Sequence, residues 1–381
     1  MNGVIIIDKP AGWTSHDVVN RMRRILGQRS VGHLGTLDPL ATGVLPLVTG
    51  SLTRLAQFYT TSEKTYEGVI RFGFATNTYD ADGDPLEPAV GPACSDHVGT
   101  AAVGSPSGRS PDLDLDTLQQ LAAKFHGLIE QTPPPFSAKK IHGVPAYKLA
   151  RKQQEVILKP VQVEIKEFAI LSVDGDRAHF RARVSSGTYM RSIAHEMGQR
   201  LGPGAHLESL RRTAVAEFDL TQAHTIEEIE GIKNNERIEN SNNEQIEDIE
   251  KKEQTENKEQ AAQVKPCHSD RSFAFPQGKG SAVEEPAVLD RAPEDQEPAI
   301  NAGATRFEAF FIHPRQLLPQ FPSVTADDAT AARIRSGRPV NLPELSRARQ
   351  VKVFHGQRVL IAIATRVAGT LFHPKLVFPN G

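Results

Sequence analysis

Gly32-His33-Leu34-Gly35-Thr36-Leu37-Asp38-Pro39-Leu40-Ala41-Thr42-Gly43 packs three glycines and a proline into twelve residues. That density predicts a shaped loop, because glycine permits tight turns and close approach of backbone to a ligand. Asp38 precedes Pro39, so its backbone is pushed away from helical geometry. Leu37 and Leu40 flank it, and a carboxylate in apolar surroundings needs a partner. The residues alone leave two readings open: an Asp that bonds its own turn, or a carboxylate held for chemistry.

Upstream of the loop, Ile5–Asp8 reads as a short strand and Asp8-Lys9-Pro10-Ala11-Gly12 as a turn. Thr14 and Asp17 have capping-box spacing, and Val18, Met22, Ile25 and Leu26 continue at helical spacing. Downstream, Thr65–Gly73 alternates, with Tyr66, Gly68, Ile70 and Phe72 on one face, which predicts a strand. Leu115–Ile129 has a helical pattern, and Pro133-Pro134-Pro135 stops any helix. Val161–Val173 and Ala178–Val184 read as strands. Ser186-Gly187 breaks the second, and Met190, Ile193, Ala194, Met197 and Leu201 make an amphipathic helix ending at Gly202. Near the end, Val351–His355, Arg358–Arg366 and Leu371–Phe378 read as strands, the first two joined by a tight turn at Gly356-Gln357.

A chain of 381 residues suggests two folded domains and a linker. Residues 226–305 are rich in Glu, Asn, Gln and Pro, a composition that cannot bury enough apolar surface to offset chain entropy. They read as an acidic, disordered linker between a domain at 1–225 and a second at 306–381. Residues 84–112, rich in Gly, Pro, Ser and Asp, read as a mobile insert in the first. The charge balance is −10 over 226–300 and +7 over 301–381. Basic folded units separated by acidic inserts suit a polyanionic partner. The two cysteines lie far apart and in no metal-binding spacing, which argues against a disulfide scaffold and a cysteine-based zinc site. The longest apolar run, Val359–Ala364, is far short of the ~20 residues of a membrane helix. The apolar start at Val4–Ile7 lacks a basic region before it and reads as a strand rather than a signal peptide. A cytoplasmic protein is expected.

The Gly32–Gly43 stretch resembles the catalytic loop of tRNA pseudouridine synthases of the TruB type. Further segments agree in order: Asp8-Lys9-Pro10 with Gly12, Thr14 and Ser15; Lys64-Thr65-Tyr66-Glu67-Gly68; Pro134-Pro135-Phe136-Ser137-Ala138; Ser186-Gly187-Thr188-Tyr189-Met190-Arg191-Ser192; and His206-Leu207-Glu208-Ser209-Leu210-Arg211-Arg212. The likeness covers about 1–225 and, more loosely, 307–381. It implies an α+β fold: a pseudouridine-synthase catalytic domain with a central mixed, mainly antiparallel sheet, plus a small C-terminal PUA-like β-barrel that binds RNA.

The resemblance also implies an activity: isomerisation of the T-loop uridine (position 55) of tRNA on a flipped-out base. Being an isomerisation, it needs no metal, ATP or redox cofactor. Asp38 is the implied nucleophile and Arg191 the cation that keeps it ionised. Tyr66 is the implied stacking platform for the extruded base, whose unstacking costs a few kcal/mol. Tyr189 is implied to contact the substrate and assist proton transfer, His33 to enter the space the base vacates, and Leu210 to pack on the base. Lys9 supports its motif without a direct role. The expected partner is the T-arm of tRNA, met by a monomer without a membrane. Two alternatives remain at this point: the catalytic subunit of a guide-RNA-dependent synthase, and an RNA-binding or tRNA-folding protein that does not depend on catalysis. The polar linker suggests that the tail can be removed with loss of RNA affinity but not of chemistry.

Overall fold

The computed structural model describes residues 1–86, 113–232 and 307–378, apart from positions 138, 142, 153, 155 and 345. Most of the two acidic segments, including nearly all of the expected mobile insert and disordered linker, lies outside the described residues.

The chain opens with β1 (Gly3–Lys9), whose Val4–Ile7 core is fully buried. Helix α1 (Ser15–Ile25) starts at Thr14, which exchanges hydrogen bonds with Asp17 in a capping box. Then come β2 (Val31–His33), β3 (Thr42–Thr49), α2 (Ala56–Tyr59) and β4 (Lys64–Phe72). Helix α3 (Leu115–Ala123) is followed by β5 (Gly127–Gln131), a short hairpin of β6 (Lys140–Ile141) and β7 (Val144–Pro145), and α4 (Ala146–Ala150). Strands β8 (Val161–Asp174) and β9 (Arg177–Val184), helix α5 (Met190–Leu201) and β10 (Ala205–Val215) follow. Two short strands follow, β11 (Phe218–Asp219) and β12 (Ala223–His224).

These strands form one sheet in the order β12-β1-β3-β10-β4-β9-β8-β5, with β2 on β3 and β11 on β10. Pairing is antiparallel except for β1 with β12 and β3 with β10. The sheet is therefore mixed and mainly antiparallel, as the resemblance to TruB-type synthases implied. Central strand β10 separates β3, which continues from the Asp38 loop, from β4, which carries Tyr66.

The helix expected over Leu115–Ile129 ends at Ala123. The backbone then turns through Gly127 at φ +89°, and Gly127–Gln131 pairs with Val161–Ile165 of β8. Strand ladder bonds override the helical spacing there, and Leu128 is left exposed. The expected linker start at 226 also shifts. A helix runs over 226–232, Thr225 and Glu228 cap it reciprocally, and Ile226 and Ile229 are buried.

The tail contains β13 (Phe311–Ile312), β14 (Ser323–Ala326), α6 (Asp328–Arg335), β15 (Val340–Asn341), β16 (Gln350–His355), β17 (Val359–Ala368) and β18 (Leu371–Val377). Five of these strands make a PUA-like half-barrel in the order β14-β16-β17-β18-β15. One face buries Val351, Val353 and Ile361 with Ile334 of α6. The other buries Phe354, Leu360, Ile363, Leu376 and Phe378 in a single core with Val4, Val48, Leu52, Leu55, Tyr59 and Phe218.

The tail is thus no tethered module. Strand β13 pairs with β1 and joins the large N-terminal sheet. The Tyr59 hydroxyl donates to Glu217 (2.6 Å), which also accepts the Leu318 N–H (2.8 Å). Residues 1–229 and 310–381 form one compact unit. Reading the linker's polarity as a sign of loose attachment failed because attachment is set by the faces that meet, and those are apolar. Among the described residues, no helix is long and apolar enough to cross a membrane.

Candidate active site

The loop from His33 to Thr42 is held by its carbonyls. The buried Arg212 of β10 donates through Nη2 to Gly35 O (3.1 Å) and through Nη1 to Thr36 O (3.2 Å). Ser15 Oγ donates to Leu37 O (3.1 Å) and accepts the Leu37 N–H (2.8 Å). Ala41 N–H closes a turn onto Asp38 O (3.1 Å). Pro39 O accepts from Gly12 N (2.9 Å) and from Lys9 Nζ (3.2 Å). Five consecutive carbonyls are therefore satisfied from three sides, which buried backbone demands. Two loop glycines are required by geometry. Gly35 sits at φ +143°, and at Gly43 (φ +97°) a Cβ would stand 2.2 Å from Arg212 O.

The Asp38 side chain leaves this frame 39% exposed, while that of its partner Arg191 is only 6% exposed. Arg191 Nε lies 2.9 Å from Asp38 Oδ2. Its N–H does not point along that line, so the contact is an ion pair rather than an aligned hydrogen bond. The guanidinium is fixed elsewhere. Nη1 donates to Thr78 O (3.2 Å) and meets Asp80 Oδ2 at 3.3 Å, and Nη2 donates to Phe136 O (3.2 Å). Asp80 is itself buried, and the segment carrying it docks on β10 through Tyr79 O and Leu207 O. One buried cation thus serves two carboxylates, of which only Asp38 opens to solvent.

Arg191 is the second residue of α5, and the backbone before it is locked. The buried Gln131 side chain accepts the Tyr189 N–H (2.8 Å) and donates to Tyr189 O (3.1 Å). The Tyr189 hydroxyl faces Ser137 and lies in the field of Asp38. Burial first, and then the Asp38 charge, push its pKa up, against Arg191.

Tyr66 lies in register with Arg212 across β4 and β10, and Leu210 with Gly68. Tyr66 and Leu210 therefore share one face of the sheet, and both are buried. Tyr66 and Arg212 lie directly opposite one another on that face, and each shifts the other's ionisation. Burial raises the Tyr66 pKa, and the Arg212 charge opposes this. His33 stands at the other end of the loop. Its Nδ1 accepts the Gly35 N–H (3.3 Å), and burial, Arg212 and His16 lower its pKa. Burial also brings both Lys9 and Lys64 down to about 8.

A part-open carboxylate beside a fixed guanidinium, with a buried tyrosine on the strand face nearby, is suited to nucleophilic work on a flat, polar substrate. Residues 23–105 and 95–190 match the TruB family pseudouridylate synthase N-terminal domain, and residues 191–254 the tRNA pseudouridylate synthase B C-terminal domain. A protein named tRNA pseudouridine synthase B from Solibacter usitatus is 40% identical over 381 residues, covering 99% of this chain and 100% of its own length. The chain belongs to the TruB family. Another member of that name, from Thermobifida fusca, is 45% identical over 236 residues, covering 60% of this chain and 74% of its own. In fold the chain is also similar to a protein in a structure of an H/ACA RNP bound to a substrate RNA containing 2'-deoxyuridine. There the TM-score is 0.57 over 99% of this chain and 84% of the other, at 19% identity.

Within this TruB-family frame, Asp38, Arg191, Tyr66 and Tyr189 are linked by contact or field, and His33 and Leu210 flank them. Three features were not foreseen. Asp80 stands just before the insert expected at 84–112, and only the fold brings it to Arg191. Arg212 and Ser15 had been placed in motifs without a role, and both prove to hold the loop. Lys9, expected to support its motif, does so through Pro39 O.

Arg191→Lys is expected to slow turnover at saturating substrate by more than about ten-fold although it keeps the charge, because a lysine cannot span the two carboxylates and two carbonyls that the planar fork reaches. A single-turnover assay showing a rate within a few-fold of the parent would refute it.

Proposed function

We propose that this chain converts uridine 55 in the T-loop of tRNA to pseudouridine, with Asp38 as the nucleophile. The observation that carries the proposal is the Asp38–Arg191 pair, in which the carboxylate is open and the cation closed in. The 40% identity over the full length of a relative named for tRNA supports the substrate. The N1–C1′ bond breaks, the base turns, and C5 bonds to C1′. The C5 proton is then lost and N1 gains one, so nothing is consumed. The carboxylate adds covalently and later leaves, whether its target is the sugar or the base. Arg191 holds its positive charge beside the carboxylate throughout. Tyr66 stacks on the extruded base with Leu210 beside it, His33 enters the space the base leaves, and Tyr189 helps to move the proton.

Tyr66→Ala is expected to lose roughly ten- to a hundred-fold in kcat/KM, since base–aromatic stacking is worth about 1–3 kcal/mol. Tyr66→Phe should lose less, because it keeps the ring. Equal losses in steady-state assays of both would assign the hydroxyl alone.

The reading is tested by giving the purified chain an isolated T-arm stem-loop and, separately, full unmodified tRNA. Conversion of both without any added RNA or protein is expected. Conversion only when a guide RNA is supplied would favour the guide-dependent reading. Tight binding without conversion would leave an RNA-binding protein.

A further inference from the structure

Arg212 is a fully buried arginine with no ion pair of its own among the described residues. Burying a guanidinium is costly unless its donors are used, and the partners that use them are informative. Three are carbonyls: Val44 O (2.8 Å to Nε), Thr36 O (3.2 Å) and Gly35 O (3.1 Å). The last two lie two and three residues before Asp38. Beside them stands Tyr66, directly opposite Arg212 on the same face of the sheet, with its hydroxyl in the field of the guanidinium. The register explains how one side chain reaches both. Arg212 pairs with Tyr66 of β4 on one side and with Gly43 of β3 on the other. Gly43 has no side chain to block the approach. Its neighbour Arg211 faces the opposite way and pairs with Asp8 (2.7 Å), so the two arginines have separate duties.

We propose that Arg212 is a positioning residue that ties the Tyr66 hydroxyl to the backbone of the Asp38 loop, fixing the separation between base platform and nucleophile. The planar fork is required, because adjacent carbonyls and a hydroxyl across the sheet must be met from one rigid centre. Arg212 itself touches neither substrate nor the reacting atoms. The hydroxyl of Tyr66 then has a purpose distinct from its ring: it is the anchor through which the platform is registered against the loop. The inference rests on Asp38 being the reacting group.

The experiment is a double-mutant cycle on the full chain with Tyr66→Phe, Arg212→Lys and the two combined. It reads single-turnover rate at saturating tRNA, tRNA affinity and melting temperature. Each single variant is expected to slow the chemical step while affinity stays within about three-fold. The double variant should be no more than about three-fold slower than the slower single, because contacting residues acting as one unit do not add. Losses that multiply, an Arg212→Lys rate equal to the parent's, or a loss confined to affinity would each overturn the proposal.

Should Arg212→Lys fail to fold, Tyr66→Phe alone suffices. Removing one hydroxyl should speed amide hydrogen exchange at Gly35 and Thr36, whose carbonyls Arg212 holds, and unchanged exchange there would overturn it. Asp38→Asn runs alongside as a control. Turnover by that variant would sink the nucleophile assignment, whereas its inactivity with a fully active Arg212→Lys would sink only the brace.

Discussion

Asp38→Asn is expected to abolish pseudouridine formation while leaving fold and RNA affinity nearly intact. The amide has the shape of the carboxylate but no charge with which to attack. Removing a covalent nucleophile costs on the order of 10³–10⁶ in rate where such groups have been deleted. The fold should survive for a reason visible in the geometry. Arg191 keeps Asp80, Thr78 O and Phe136 O when Asp38 is neutralised, so the buried cation is not orphaned. The lost pair is also part-exposed on the Asp38 side, where such contacts contribute roughly 0–1 kcal/mol. A melting temperature within a few degrees of the parent is expected, and tRNA affinity should hold because phosphate contacts dominate it. Single-turnover assays with bound tRNA check the first part and thermal melts the second.

Deletion of 307–381 is expected to unfold or severely destabilise the remainder, contrary to the separable tail that the linker's polarity suggested. The shared core loses Phe354, Leu360, Ile363, Leu376 and Phe378, and Val4, Leu52, Leu55 and Phe218 lose the apolar partners they pack on. At about 1.5–3 kcal/mol for each large side chain whose burial is lost, four or five such losses rival the ~5–15 kcal/mol that holds a domain together. Strand β1 would lose its β13 edge, and Glu217 its Leu318 N–H. Thermal unfolding followed by circular dichroism checks this. A truncated chain that melts cooperatively within a few degrees of the parent would show that the shared core contributes little.

Local patterns made the elements that carry the proposed site residues legible, while the roles of those residues came only from the resemblance to TruB-type synthases. The glycines and proline around Asp38 announce a shaped loop, and the alternation over Thr65–Gly73 puts Tyr66 on the buried face. The Ser186-Gly187 break places Arg191 at a helix start. What stayed hidden depends on tertiary register. Asp80 meets Arg191 only because its segment docks on β10, more than a hundred residues later in sequence. Arg212 reads as one more basic residue until β10 is seen between β3 and β4. The tail's attachment was hidden likewise, since the apolar faces that meet come from Val4–Phe218 and Leu317–Phe378, and neither stretch signals the other. The Leu115–Ile129 pattern misled for a related reason: Leu128 fits helical spacing, but an edge pairing with β8 claims its backbone.

The most direct test is a base-resolution map of pseudouridine in unmodified tRNA after incubation with the purified chain, run in parallel with Asp38→Asn. One new pseudouridine at position 55 with the parent protein, and none with the variant, is the expected result. Modification that persists with Asp38→Asn, or that falls outside the T-loop, would contradict it.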